Sequence, residues 1–434
     1  MNPFASIAPQ PLRVALIDAV RPHGMKGETF CPDTGPHAVE MLACALARRG
    51  HAVDIYRGRD AGEPIWEDLQ AGVRIHRVAT TAPWPHDEDQ TGLTQAVQAF
   101  VAGMRHMARD VYPCDVVHAF GLHAGLVGLR LTRGMSVPFI LNLQPALAGD
   151  EHIGALEELL VRRSDGLVAS SERQRDALMA LPAASRAAVH LVPRGVDTQR
   201  FRPGRKARLR DMLGWPQEAF IVMWGGSPES DLSRLRDGLP VFRAASRIGA
   251  HVVALGADSP WPGEMAGLPQ VSVVDLEAVE GSARQAHLSA CYAASDVLVL
   301  PSWHREVEAI CGREAMACGT PVMVLSQHGS DEATRAVEDG VTGYVLHRPT
   351  PEAILQRLRI LSEQPRRREA MGMAAVLRAR TFHTWHKVAE RLASVYAHAR
   401  ASQHEVDVHR SFTLIRNSRP RLVSTLAPLV PTGA

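Results

Sequence analysis

The chain has 434 residues, enough for two or three domains that each bury a core of their own. Its 48 Lys and Arg residues nearly balance its 46 Asp and Glu residues, and a net charge of +2 is too small to indicate binding to nucleic acid or to an anionic membrane. The sequence shows no secretory signal and no apolar run near the roughly 18 residues that cross a bilayer, and its six cysteines form no C-x-x-C pair, so a cytoplasmic protein with free thiols is expected.

Short apolar runs alternate with helical patterns through the first half of the chain. The predicted strands are residues 14–17, 52–56, 73–78, 115–118, 138–141 and 166–169. The predicted helices are residues 37–49, 93–107, 124–132 and 155–163. Strands separated by helices indicate β-α-β units and therefore a parallel sheet that is covered on both faces.

A Pro-, Gly- and Arg-rich break at residues 191–204 separates this half from a second alternation. Its predicted strands are residues 220–224, 252–255, 271–274, 297–300, 321–325 and 344–346. Its predicted helices are residues 232–246, 283–294, 312–318 and 352–363, followed by a helical region, 366–400, with an interruption at 381–384. Residues 401–434 lose the periodicity and are expected to form a poorly ordered tail, although the apolar residues 422–430 leave open docking on the body or on a partner.

The predicted fold is α/β, with two Rossmann-like, doubly wound parallel-sheet domains that face a central cleft. The expected boundaries are 1–193 for the first domain, 194–204 for the linker and 205–380 for the second domain. A terminal helix, 381–400, is expected to pack back toward the first domain, ahead of the tail. Ligands of open parallel sheets bind at the carboxyl edges of the strands, so the cleft is the expected site.

The most specific motif follows the strand at 297–300. It has the form P-S-x3-E-x7-E-A-M-A-C-G-T-P-V, and its two glutamates are Glu306 and Glu314. A helix predicted to begin near Gly312 would point free N–H groups at the edge of the sheet, where they favour an anion. Without a ligand, Glu314 would simply be a carboxylate favoured in the first turn of that helix.

Residues 12–400 resemble the family 4 glycosyltransferases, and in particular their sucrose-phosphate-synthase-like branch. The blocks that carry the resemblance are residues 32–56, 115–131, 192–203 and 294–322, in the order of the family. The resemblance implies a GT-B fold and a nucleotide-sugar donor in the second domain. It assigns the donor ribose to Glu314, and it places Glu306 and the backbone of 307–310, which includes Ala309 and Ile310, beside the donor sugar and phosphates.

The resemblance also points to two positions in the first domain. Gly35 corresponds to a glycine loop that lets the backbone approach a ligand, although Pro36 replaces the second glycine of the family and removes one N–H. His118 corresponds to the first histidine of a His-x-His pattern whose second member is Phe120 here. Glu306 and His118 are the catalytic candidates, and a purely structural role for His118 is equally expected.

Several ligand-facing positions depart from the family. In the family, an Arg directly after the first strand of the second domain and a Lys five positions further on hold the diphosphate. An alignment without a gap places Gly226 and Asp231 at these two positions, so the usual pair is absent. An alignment with a longer loop would instead place Arg234 and Arg236 close to the diphosphate, where they could replace the usual pair. The N–H groups of Gly225, Gly226 and Ser227 could also form an anion nest. In the motif, Glu308 adds a carboxylate near the expected diphosphate.

By this resemblance, the leading prediction is a retaining glycosyltransferase that transfers a hexose-type sugar to an unidentified hydroxyl acceptor. A UDP-sugar is the first guess for the donor, and neither a metal nor any other cofactor is expected. The departures also motivate an alternative, a catalytically degenerate GT-B protein that acts as a scaffold with a protein partner. Another GT-B activity, such as an epimerase or a phosphorylase, has no motif to support it.

Overall fold

The structure is a computed structural model. It describes residues 10–19, 36–60, 62–79, 90–107, 114–143, 151–182, 188–225, 238–255, 271–274, 279, 281–301, 306–326 and 335–417. For residues 36, 90, 151–153, 255, 271, 273, 281–282, 306–308 and 404–417 it describes the backbone alone.

The first domain is built on a sheet in the order β3-β4-β2-β1-β5-β6-β7-β8. Its strands are β1 (Arg13–Asp18), β2 (Ala52–Gly58), β3 (Trp66–Gln70), β4 (Val73–Val78), β5 (Val116–Phe120), β6 (Phe139–Asn142), β7 (Gly166–Ala169) and β8 (Val189–Leu191). Its helices are α1 (Pro36–Ala47), α2 (Gln90–Met107), α3 (Gly121–Thr132), α4 (Glu151–Arg163) and α5 (Glu172–Ala180). All neighbouring strands are parallel except β3, which pairs antiparallel with β4 at the edge.

The second domain has a parallel sheet in the order β11-β10-β9-β12-β13-β14. Its strands are β9 (Ile221–Trp224), β10 (His251–Leu255), β11 (Val271–Val274), β12 (Val297–Leu300), β13 (Val322–Ser326) and β14 (Gly343–His347). Its helices are α6 (Lys206–Leu213), α7 (Leu239–Arg247), α8 (Gly281–Ala294), α9 (Glu306–Ala317), α10 (Pro351–Glu363) and α11 (Pro365–Phe382). Two doubly wound parallel sheets are therefore present, as the sequence predicts.

Each sheet has an apolar core on both faces. In the first domain, α2, α3 and α4 cover one face, and α1 covers the other together with α12 (Trp385–Asn417). In the second domain, α6, α8 and α9 cover one face, while α7 and α10 cover the other. Burial on both faces explains why the strands read as nearly continuous Val, Ile and Leu runs.

The end of the chain differs from the prediction. The interruption at 381–384 is present between α11 and α12, but α12 does not end at residue 400 and continues as a helix to Asn417. The last helix is therefore longer than the sequence predicts, and the expectation that residues 401–434 are poorly ordered stays a prediction. The apolar segment 422–430 lies outside the described residues.

Four elements of the described structure were not predicted from the sequence, namely β3, α5, β8 and α6. The strand β3 has the sequence Trp-Glu-Asp-Leu-Gln, and four of its five residues are exposed, so it shows no apolar alternation. The helix α5 is short and polar, with the hydroxyl of Ser171 accepting a hydrogen bond from the N–H of Gln174.

None of the described helices is both long enough and apolar enough to cross a membrane.

A buried carboxylate ties together three elements at the amino edge of the second sheet. Asp296 is 2% exposed and directly precedes β12. It accepts hydrogen bonds from Arg210 Nη2 at 2.7 Å, from Lys206 Nζ at 2.8 Å and from the N–H of Ile221 at 2.8 Å, and Arg368 Nε lies 3.2 Å away. Burial opposes ionisation, but Lys206, the Ile221 N–H and Arg368 outweigh it and hold the pKa of Asp296 below its ordinary value.

The close approach of β9 to β12 requires a glycine at position 225. A Cβ there would lie 2.5 Å from Leu300 Cδ2 and 2.9 Å from Leu298 Cδ1. The N–H of Gly225 also donates to the carbonyl oxygen of Val299 at 2.9 Å, so the residue extends the pairing of the two strands by one step.

We expect Asp296→Asn to lower the free energy of unfolding by about 3 kcal/mol at neutral pH, because it leaves buried cations without their carboxylate. Urea unfolding measures the change, and Asp68→Asn, which disrupts an exposed pair with Arg74, is the control and has little effect. Since the pKa of Asp296 is lowered in the folded state, its contribution is present above the ordinary value of 3.8 and is lost as the pH falls through the folded pKa. A loss no larger than that of the control would contradict the role of Asp296.

We expect Gly225→Ala to lower the free energy of unfolding by about 1–3 kcal/mol, because the added methyl group overpacks the contact with Leu298 and Leu300. Gly154→Ala in α4 is the matched control, since its Cβ would meet no atom within 4 Å. That control should leave stability unchanged or raise it by up to about 1 kcal/mol. Equal effects of the two substitutions would show that the contact between β9 and β12 is not as tight as described.

Candidate functional site

The strand order of the second sheet creates a crevice at its carboxyl edge. From β9 the chain proceeds to β10 on one side, whereas β12 pairs with β9 on the other side. Ligands of doubly wound sheets bind at such a reversal of strand order. The backbone at this point is Gly225 after β9 and Pro301 after β12, and α9 begins five residues beyond Pro301.

The helix α9 begins earlier than the sequence predicts. Its first residue is Glu306, so Gly312 lies inside the helix and not at its start. One glycine costs a helix about 1 kcal/mol, which burial of Ala309, Ile310 and Met316 readily outweighs. The amino end of the helix, with N–H groups that the helix itself does not use, is therefore formed by residues 306–308.

This shift separates the two glutamates of the motif. Glu306 belongs to the first turn of α9, whereas Glu314 lies eight residues further on, about 12 Å along the axis. The prediction that Glu314 stands in the first turn is therefore wrong, and so is the reading of Glu314 as a first-turn carboxylate. Glu314 is 1% exposed, and the preceding residue, Arg313, is 3% exposed. A ligand that reached Glu314 would have to lie beside the body of α9 and not at its tip.

The other predicted donor residues are only partly covered by the structure. The N–H of Gly225 already donates to Val299, so it cannot take part in the anion nest that the sequence suggested. Ala309 and Ile310 are 2% and 1% exposed, which leaves their side chains in the core and only their backbone near the start of α9. Four further predicted residues, Gly226, Ser227, Arg234 and Arg236, lie outside the described residues.

The first sheet has the same reversal of strand order between β1 and β5. Gly35 lies outside the described residues, and α1 begins directly after it. The sequence did not single out the charged group that the structure shows beside this edge. Arg57, at the end of β2, is 2% exposed and donates to Asp18 Oδ2 at 3.0 Å and to Glu40 Oε1 at 2.8 Å. The sequence V-A-L-I-D of β1 ends its apolar run with the carboxylate of Asp18, and this pattern could have indicated the charged group.

His118 does not lie at the edge of the sheet. The strand β5 continues past it to Phe120, and His118 is 0% exposed. Its Nδ1 lies 2.8 Å from the hydroxyl oxygen of Tyr396, which is 278 residues away in sequence, and its ring centroid is 4.4 Å from that of Phe120. Burial lowers the pKa of His118 to about 3, so it is neutral at physiological pH. These contacts agree with the structural role that the sequence left open for His118, and its assignment as a catalytic residue stays a prediction.

Two family models match the chain in order along its sequence. The model of the glycosyl transferase 4-like domain matches residues 35–195, and the model of glycosyl transferases group 1 matches residues 279–378. A D-inositol 3-phosphate glycosyltransferase of Kineococcus radiotolerans is 32% identical over 428 residues, which cover 89% of this chain and 95% of that protein. Such relatives are named as enzymes, so they give no support to a degenerate scaffold or to a protein partner.

Solved structures of low sequence identity share the fold. The sucrose-phosphate synthase of Thermosynechococcus elongatus is 20% identical, with a TM-score of 0.66 over 90% of this chain and 100% of that chain. The Anabaena protein HepE, solved in complex with UDP-glucose, is 15% identical, with a TM-score of 0.61 over 89% of this chain and 99% of that chain. Together with the strand orders and the sequence matches, these likenesses show that the chain belongs to the family 4-like glycosyltransferases of GT-B fold and is a glycosyltransferase that uses a nucleotide-sugar donor.

Proposed function

We propose that the protein transfers a hexose from a UDP-sugar to a hydroxyl group of its acceptor, with retention of the anomeric configuration. The observation that carries the proposal is the meeting of three chain segments at one crevice: the end of β9, the end of β12 and the amino end of α9. That combination offers a diphosphate the positive end of a helix at a reversal of strand order. The solved complex of HepE with UDP-glucose supports UDP-glucose as the first donor to test.

The proposed roles follow from the positions along α9. Its first turn, with Glu306, would lie beside the donor sugar and phosphates, where the helix dipole stabilises negative charge on the leaving diphosphate. Glu314, about 12 Å further along the axis, would accept hydrogen bonds from the ribose hydroxyls. The diphosphate would thus span the amino end of the helix while the nucleoside extends beside its body.

In this proposal the chemistry needs no protein nucleophile. The leaving diphosphate stays on the face from which the acceptor hydroxyl approaches, and it takes the proton of that hydroxyl as the new glycosidic bond forms. Catalysis then consists of holding the two substrates together on one face of the sugar and stabilising the charge on the leaving group. The names of the bacterial relatives make inositol, free or phosphorylated, the first acceptor to test.

Binding of UDP to the purified full-length protein tests the donor site. We expect UDP to bind, and we expect Glu314→Gln, which keeps the shape of the side chain, to weaken binding about ten-fold or more through the loss of a hydrogen bond to a charged group. Titration calorimetry measures the dissociation constant, with GDP and ADP as competing bases. Glu369→Gln, at an exposed position of α11, is the control and should bind UDP like the unchanged protein. Failure of all three nucleotides to bind the folded protein would refute the donor site.

The stereochemistry of the product tests the mechanism. With UDP-glucose and inositol or inositol phosphate, we expect a product whose anomeric configuration matches that of the donor, as read from the anomeric proton by NMR. Glu306→Gln should lower kcat by a larger factor than it raises KM, because the proposed contact strengthens as the leaving group departs. A product of inverted configuration would contradict the direct role of the diphosphate on one face.

A further inference from the structure

A second polar cavity lies between the domains, away from the crevice at β9 and β12. Its volume is about 340 Å³, within the range of about 300–1,000 Å³ of pockets that take small molecules. On the side of the first domain it is lined by Glu172, which follows β7, and by Leu191 at the end of β8. We call it the hinge pocket, because the chain leaves β8 for the second domain at this point.

The hinge pocket is rich in arginine. Among the described residues that line it are four arginines, Arg313, Arg335, Arg378 and Arg391, and one carboxylate, Glu172. The arginines come from α9, from the segment after β13, from α11 and from α12, so distant parts of the sequence bring them together. Like charges gathered at one pocket repel one another, and an anion inside it would relieve that repulsion.

For two of these arginines, Arg335 and Arg378, the contacts show which way the guanidinium group is held. Arg335 forms an ion pair with Glu172, which links the two domains. Arg378 donates from Nε to the carbonyl oxygen of Ala336 at 2.7 Å, and its Nη1 lies 3.4 Å from Glu338 Oε2. These contacts fix the direction of the guanidinium groups, and a fixed guanidinium fork is well suited to phosphate oxygens.

His383 stands among the same arginines. Burial is the main cause that lowers its pKa to about 3, and the charges of Arg313, Arg378 and Arg391 lower it further. Its Nε2 is buried and has no hydrogen-bond partner among the described residues, while its carbonyl oxygen accepts from the N–H of Val196 in the linker at 2.7 Å. A neutral imidazole at this position can donate to an oxygen of a bound anion without adding charge.

The hinge pocket is separate from the crevice of the transfer site. In the first sheet the reversal of strand order lies between β1 and β5, and β8, which borders the pocket, is three strands from β5. At about 4.8 Å per strand, β8 lies about 14 Å from β5 along the first sheet. In the second domain the pocket reaches α9 at Arg313, about 10 Å along the helix axis from its first residue. Neither Gly225 nor the first turn of α9 lines it.

From this arrangement we propose that the hinge pocket is a second anion site, which binds the phosphate group of a small molecule between the two domains. A phosphate dianion carries close to two charges and three strong acceptor oxygens, which suits several arginines better than a single carboxylate does. Arg391 belongs to α12, which packs on the first domain, whereas Arg313 and Arg378 belong to the second domain. A bound phosphate therefore holds both domains at the hinge and opposes their separation.

Inorganic phosphate is the probe for the site. We expect phosphate to bind the full-length protein and to raise its melting temperature, whereas acetate at equal ionic strength does neither. We expect Arg391→Gln to weaken phosphate binding about ten-fold. Arg380→Gln, at an exposed position of α11 outside the pocket, is the matched control and should leave phosphate binding unchanged. No binding up to about 10 mM phosphate, or equal effects of the two substitutions, would overturn the proposal.

Glu172→Gln gives a test of opposite sign. It removes the one carboxylate that lines the pocket and releases Arg335, so we expect phosphate to bind several-fold more tightly. A merely structural role of the pocket predicts weaker binding or no change, and either result would contradict the proposal. Phosphate should also bind with the same affinity in the presence of saturating UDP. Loss of phosphate binding in UDP would assign the phosphate to the donor crevice instead, and UDP binding itself should be equal in Arg391→Gln and the unchanged protein.

Discussion

The arrangement of the two domains depends on a joint where the chain crosses between them twice. The linker after β8 makes the first crossing, and the break between α11 and α12 makes the second. The N–H of Val196 donates to the carbonyl oxygen of His383 at 2.7 Å, and a Cβ at Gly195 would lie 2.7 Å from the backbone nitrogen of Trp385. The two crossings thus touch through backbone atoms, and only glycine fits at position 195. Because both connections are fixed to each other, the carboxyl edges of the two sheets keep facing the same cleft.

The helix α12 carries this joint into the first domain. Trp385, Leu392 and Tyr396 are buried against β1, β2 and α1, so the last helix of the chain is part of the core of the first domain. The hydroxyl group of Tyr396 meets His118 on β5, and β5 ends at the reversal of strand order of the first sheet. A histidine that resembles a catalytic residue in sequence therefore connects the central strand β5 of the first sheet to α12. Its burial, which keeps it neutral, suits that connection better than proton transfer.

Local sequence patterns were sufficient for most of the fold. The strands β7 and β12 have the predicted bounds, because buried parallel strands are short apolar runs bounded by polar residues, glycine or proline. The strand β3 could not be found in this way, since its exposed Trp-Glu-Asp-Leu-Gln segment pairs only through its backbone with β4. The start of α9 was misplaced because Gly312 reads as a boundary locally, while the burial that holds it inside the helix is a tertiary effect.

The residues of the candidate sites could be predicted from the sequence only where they lie close together in one segment of the chain. The spacing of Glu306 and Glu314 is visible in sequence, but their separation along the helix became clear only from its start. The arginines of the hinge pocket and Glu172 span more than 200 residues, and no local pattern relates them. Likewise, the role of Gly225 as a packing residue depends on Leu298 and Leu300, which belong to another strand. Contacts between segments that are distant in the sequence could therefore not be predicted from local patterns.

The hinge pocket and the donor crevice both involve α9, and both depend on how the two domains are positioned. The position of the domains is therefore one route by which a ligand at one site can influence the other. The ion pair between Glu172 and Arg335 and the joint at Val196 and His383 are the contacts that resist a change in that position. A ligand in the hinge pocket would therefore act on transfer through the geometry of the cleft, by the difference in its affinity for the closed and the open arrangement.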